Sequence, residues 1–135
     1  MTESPNVMNL EAWAKEPRRV EKPWGWELIW AETDQYLGKV LFVKAGESLS
    51  LQFHHEKEES WYIQSGRAKV ELGNAGETVL KEEVVTAPAF FHFVPGTVHR
   101  ITAIDDTLVY EVSTAHPDDV VRLDDNYGRE GTSAP

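Results

Sequence analysis

A chain of 135 residues and 15.3 kDa has the length of one domain, with no room inside it for a second catalytic one. Thirteen Lys and Arg against 23 Asp and Glu leave a net charge of −10, a field that repels phosphate backbones and anionic leaflets and so excludes nucleic acid and membrane surfaces as partners. Cysteine is absent, which excludes a disulfide frame, a thiolate nucleophile and any Cys-based zinc site; a metal must rest on His, carboxylate or amide oxygen.

The first segment, Met1 to about Arg19, lacks the basic start and apolar run of a signal peptide, and nowhere do about 18 apolar residues follow one another. A cytoplasmic protein is expected. The segment reads as an arm, anchored by Leu10 and Trp13, with one helical turn near Glu11 to Lys15. From Pro23 the period becomes two. Trp24, Trp26, Leu28 and Trp30 alternate with Gly25, Glu27 and Ile29, which predicts a strand with the Trp-bearing face buried.

Further strand-length runs follow at Tyr36 to Lys44, Ser48 to Phe53, Ser60 to Gln64, Arg67 to Leu72, Phe90 to Val94, Val98 to Ile104 and Thr107 to Thr114, with Thr78 to Leu80 a weaker candidate. The breaks between them, among them Ser65-Gly66, Pro95-Gly96 and Asp105-Asp106, carry residues that accept positive φ or preset a turn. Short strands at near-regular spacing, without a helical period between them, predict an all-β sandwich or barrel. Pro117 and the two Asp after it suit a single helical turn, and residues 130–135 read as a disordered tail. The domain proper is therefore placed at 20–129.

One frame within this pattern carries chemistry. Alternation puts Gln52 and His54 on one face of a strand, and Glu59 opens the next strand beyond a charged turn, so that a hairpin returns its carboxylate beside His54. His99, after the turn at Pro95-Gly96, joins them if its strand pairs nearby in a closed barrel. Two imidazoles, one amide oxygen and one carboxylate suit one divalent transition ion, Zn first, with Mn, Fe, Ni or Co as alternatives, better than Mg or Ca. Each position also has a plain reading. His55 points to the opposite face of a regular strand and becomes a ligand only through a bulge. Glu56 to Glu59 fit a solvated turn, the five Trp fit core and interface, and His92 and His116 read as ordinary side chains.

The Gly46 to Gly66 frame and Gly96-Thr97-Val98-His99 resemble the two motifs of the cupin superfamily, small double-stranded β-helix barrels of jelly-roll type that hold a metal inside. More narrowly, LSLQFHHEKEESW, PGTVHR and VVRLDDNYGR resemble the C-terminal cupin domain of type II phosphomannose isomerases, often fused to mannose-1-phosphate guanylyltransferase. That resemblance implies metal ligation by Gln52, His54, Glu59 and His99. It departs where the family often has His at Glu56, Arg at Lys57 and His at Ser60, which bears on the substrate.

The resemblance implies interconversion of mannose 6-phosphate and fructose 6-phosphate through an enediolate. Nucleotidyl transfer is not expected, since the chain holds no Gly-rich nucleotide loop. Lys57, with a pKa lowered beside the metal, or a metal-bound water is the candidate base, and Lys57, Arg100 and Arg129 are the candidate phosphate-binding residues, with Lys57 and Arg100 the candidate catalytic pair. Strict alternation, however, aims Arg100 away from His99. Two other functions compete: a non-haem Fe(II) oxygenase built on His54, Glu59 and His99, and a sugar-binding or regulatory cupin without turnover. A homodimer is expected, with the Trp-rich first strand against an edge.

Overall fold

The computed structural model describes residues 16–132. They form eleven strands: β1 Arg18–Lys22, β2 Gly25–Glu32, β3 Tyr36–Val43, β4 Leu51–Phe53, β5 Glu59–Ser65, β6 Arg67–Asn74, β7 Lys81–Thr86, β8 Ala89–Phe93, β9 Thr97–Ala103, β10 Thr107–Thr114 and β11 Val121–Asp124. All pairings are antiparallel, in a six-stranded sheet ordered β1-β2-β3-β10-β5-β8 and a five-stranded sheet ordered β11-β4-β9-β6-β7. The all-β expectation holds: the two sheets face each other as one sandwich.

Inward-facing positions two residues apart change character along each strand. From one end of the sandwich to the other they run Ile63, Trp61, Glu59 on β5, then Ala103, Ile101, His99 on β9, and Val109, Glu111 on β10; all are buried. The apolar end forms the core with Leu41, Val43, Val70 and Phe93, each such side chain contributing about 1.5–3 kcal/mol on full burial. The other end is polar, and the site lies there.

Several expectations are corrected. On β2 the period is right but the face is inverted. Glu27 and Ile29 point inward, whereas Trp30 is 55% exposed and Trp26 stacks on Phe42 on the outer surface; only Trp24, ahead of the strand, is buried. The inversion follows from Glu27 meeting Lys39 inside at 3.3 Å, an ion pair that hydropathy alone cannot foresee. The arm boundary at Arg19 falls inside β1. Thr78 to Leu80 is not a strand; the strand is the charged Lys81–Thr86, an edge that exposes most of its side chains. Beyond Pro117 the chain forms β11 against β4 instead of a helical turn. Gly131 and Thr132, assigned to a disordered tail, are tied to Arg122 by a backbone bond and by the guanidinium. The helical turn near Glu11 to Lys15 lies outside the described residues.

Gly66 turns the corner between β5 in one sheet and β6 in the other. Its φ is +98°, and a Cβ there would stand 2.4 Å from the Asp106 carbonyl oxygen, in the matching corner between β9 and β10. Gly66→Ala is therefore expected to lower the unfolding free energy by more than ~1 kcal/mol. Urea titration should show this as a shifted midpoint with an unchanged slope.

Candidate metal centre

The polar end is assembled from both sheets. Gln52 on β4 is the cross-strand neighbour of His99 on β9, and His54 follows β4 directly. Glu59 opens β5 in the facing sheet. The segment between His54 and Glu59 is thus a crossing between sheets, not the expected hairpin, and the carboxylate arrives from the opposite wall. His54, Glu59 and His99 are each at least 96% buried, at 4%, 2% and 1% exposure, and their ligand atoms lie within 4.8 Å of one another.

Hydrogen bonding on the far side of each ring fixes what faces the centre. His54 Nδ1 lies 2.5 Å from the Asp119 carbonyl oxygen, and His99 Nδ1 lies 2.9 Å from that of Thr97. A carbonyl only accepts, so each Nδ1 carries the proton and each Nε2 turns a lone pair inward. Glu59 Oε1 stands 2.8 Å from His99 Nε2 and 3.5 Å from His54 Nε2, yet neither approach has hydrogen-bond geometry. Among the described residues, six buried side-chain polar atoms lack a hydrogen-bond partner, and four of them are His54 Nε2, His99 Nε2 and both Glu59 oxygens. Lys57 ion-pairs with Glu59 Oε2, which leaves three acceptors, the two Nε2 atoms and Glu59 Oε1, turned on one another, an arrangement that fits a cation.

Electrostatics keep the carboxylate charged. Burial alone would raise Glu59, but the Lys57 ammonium beside it holds the carboxyl well below the ordinary carboxylate range. Lys57 Nζ sits 3.2 Å from Glu59 and 3.4 Å from Glu111. Burial works against its charge, but Glu111 and Glu59 outweigh that, and its pKa is raised, not lowered as expected for a base. Asp119 accepts from the backbone N–H groups of His55, Glu56 and Lys57. Those bonds overcome partial burial and bring it down to about 2. One acidic residue thus orders the crossing segment and, through its carbonyl, orients His54.

Gln52 lines the same cavity as His54 and Lys57, and its Oε1 accepts from Ser50 Oγ at 2.7 Å. Arg129 lines it too, though its guanidinium is engaged by both Asp125 oxygens at 2.9 Å. Arg100 does not reach it. One residue from His99, it faces the opposite side of β9 and bonds Glu71 and Asp124. His55 is exposed, His92 pairs with Glu58 and His116 stands 3.7 Å from Glu56, as their plain readings anticipated. Sequence reasoning missed Glu111 and Asp119. Glu111 was legible only as an acid at an inward position of a strand otherwise rich in Val and Thr.

The family described as "Mannose-6-phosphate isomerase C-terminal" matches residues 10–125. The chain belongs to this mannose-6-phosphate isomerase C-terminal family. Among its relatives is a mannose-1-phosphate guanylyltransferase of Escherichia coli (strain K12), 35% identical over 117 residues, which cover 83% of the chain and 23% of that enzyme. The chain thus spans about a quarter of the length of such relatives. Of solved structures, the capsular polysaccharide assembling protein CapF from Staphylococcus aureus superposes with a TM-score of 0.65 at 17% identity, over 79% of the chain and 31% of CapF. The oxalate decarboxylase of Lactobacillus farciminis gives 0.65 at 17%, over 80% and 34%. At these identities the likeness is one of fold.

The centre makes a direct prediction for this family member. Zn²⁺ or Mn²⁺ at about 100 times its dissociation constant should stabilise the fold by about 2.7 kcal/mol. Chelation should reverse this, and Glu59→Gln or His99→Ala should abolish it in thermal unfolding. An equal shift in the variants would put the ion elsewhere.

Proposed function

We propose that the domain is a metal-dependent sugar-phosphate isomerase that interconverts mannose 6-phosphate and fructose 6-phosphate. The observation that carries this is the convergence of buried His54, Glu59 and His99 at the end of a cation-lined cavity, in a chain matched along 10–125 by the isomerase C-terminal family. Gln52 is the fourth ligand in this reading: its Oε1 takes one bond from Ser50 and keeps its second lone pair. A divalent ion held by these four would supply positive charge beside the sugar oxygens.

The rest falls to the chain's own residues. Isomerisation moves a proton between adjacent carbons while the neighbouring oxygens gain charge. Lys57, which keeps its proton between Glu59 and Glu111, serves as hydrogen-bond donor to those oxygens. Glu111 lines the cavity beside it, held by Lys57 and by the Trp61 indole at 3.3 Å, and is the carboxylate placed to accept the carbon-bound proton. Asp119 keeps His54 turned inward while this occurs.

Assay of the metal-loaded protein with both hexose 6-phosphates tests the reading. Glu111→Gln should lower kcat by about 10²–10⁴ while metal content stays at the wild-type level. No interconversion by the wild type would discard this substrate. Oxygen consumption with Fe(II) would instead favour the oxygenase, which uses the same two-His, one-carboxylate set, and tight sugar binding without turnover would favour a regulatory domain.

The homodimer belongs to the same reading. Phe90 at 69%, Val112 at 55% and Trp30 at 55% exposure, with Tyr62 and Tyr110, make the outer face of the six-stranded sheet an apolar surface, larger than isolated exposed residues and of the sort that mates with a copy of itself. Sedimentation velocity should give twice the 15.3 kDa chain mass, and Phe90→Glu should return the monomer.

A further inference from the structure

The cavity above the metal centre carries five cations, Lys22, Lys39, Lys57, Arg122 and Arg129, in a chain whose net charge is −10. Two of them are committed elsewhere: Lys57 to Glu59 and Glu111, and Arg129 to Asp125. Lys39 shares Glu27 at 3.3 Å. Arg122 is different. It is 91% buried by its 9% exposure, its Nε has no hydrogen-bond partner among the described residues, and one guanidinium nitrogen donates to the Thr132 carbonyl. No ion pair of Arg122 or Lys22 occurs among the described residues. A buried guanidinium N–H left without an acceptor is costly unless a ligand supplies one.

Register places these groups. Arg122 is directly across from Gln52, and Gln52 from His99, so one row links the three residues over two strand steps, or about 10 Å between the outer backbones. Lys22 lies across from Gly25 on the first strand pair, on the face that carries Glu27 inward. Burial depresses its pKa, and among its charged neighbours Lys39, Arg122 and Arg129 add to that while Glu27 opposes it. Three positive groups with one carboxylate shared among them face the same cavity as His54 from three strands.

We propose that Lys22, Lys39 and Arg122 form a phosphate subsite, which takes the phosphoryl group of a hexose phosphate while the sugar oxygens lie at His54, Glu59 and His99. The identity of the sugar rests on the isomerase reading; the anion site does not. Arg122 presents its free N–H edge, which suits a phosphate oxygen in a fixed direction, and the two ammonium groups supply adjustable charge. Arg129, doubly bound to Asp125 through Nε and Nη2, is a positioning residue on this wall. The assignment moves phosphate recognition from Arg100, on the outer face of β9, to β1, β3 and β11.

Calorimetric titration of the metal-loaded protein with inorganic phosphate and with mannose 6-phosphate tests it. Arg122→Gln and, separately, the more exposed Lys22→Gln should weaken both by about tenfold or more, with metal content unchanged. Lys22→Gln provides the test should Arg122→Gln fail to fold. In the isomerase assay both variants should raise KM and leave kcat near the wild-type value. Wild-type affinity for phosphate in both variants, or no phosphate binding by the wild type, would overturn the subsite even if isomerase activity were found. Phosphate binding that depends on these residues, without turnover of any hexose phosphate, would uphold the subsite and remove the isomerase reading.

Discussion

A carboxylate and two imidazole lone pairs are buried together between two β-sheets with no proton to share among them, and much of the structure answers to that constraint. Placed in an apolar interior, such a cluster would cost several kcal/mol, and Glu59 would sooner take a proton than stay charged. It stays charged because Lys57 stands against it, and Lys57 in turn is held by Glu111. The residual mismatch, His54 Nε2, His99 Nε2 and Glu59 Oε1 facing one another without a hydrogen bond, is what a cation resolves.

The same constraint explains the support around the centre. Each ring is oriented by a backbone carbonyl, from Thr97 on the strand of His99 and from Asp119 on the distant segment before β11. The Asp119 side chain gathers three consecutive N–H groups of the crossing between sheets, so the segment that turns His54 toward Glu59 does not depend on regular pairing. Charged hydrogen bonds of this kind are stronger than neutral ones. The C-terminal strand is therefore part of the site: it supplies Arg122 to the cavity wall and, through the segment before it, the acceptor that orients His54.

Charge is distributed unevenly over this acidic chain. Most carboxylates are outside, where solvent screens them, while the cavity concentrates Lys and Arg around a small number of acids. The cavity's excess of cations thus opposes the net charge of −10 of the chain as a whole, a field that would favour an anionic ligand there. The outer face of the six-stranded sheet, by contrast, carries exposed aromatic residues and little charge.

By itself the sequence determined the strand periods, most of the turns and, through spacing and resemblance, the cluster of His54, Glu59 and His99 that could hold a metal, because these rest on local alternation and on turn chemistry at Gly66 and Gly96. It could also warn that Arg100 faces away from His99, since that too is alternation. Only the tertiary structure decided which face of β2 is inside, since Glu27 is drawn inward by Lys39 from the neighbouring strand against the preference of the tryptophans. It likewise decided that Glu59 comes from the opposite sheet, that Lys57 is held protonated by Glu111, and that Arg122 sits beside Gln52. Each of these depends on a charge or a backbone partner distant in sequence, and electrostatic pairing, unlike strand period, leaves no mark on the residues next to it.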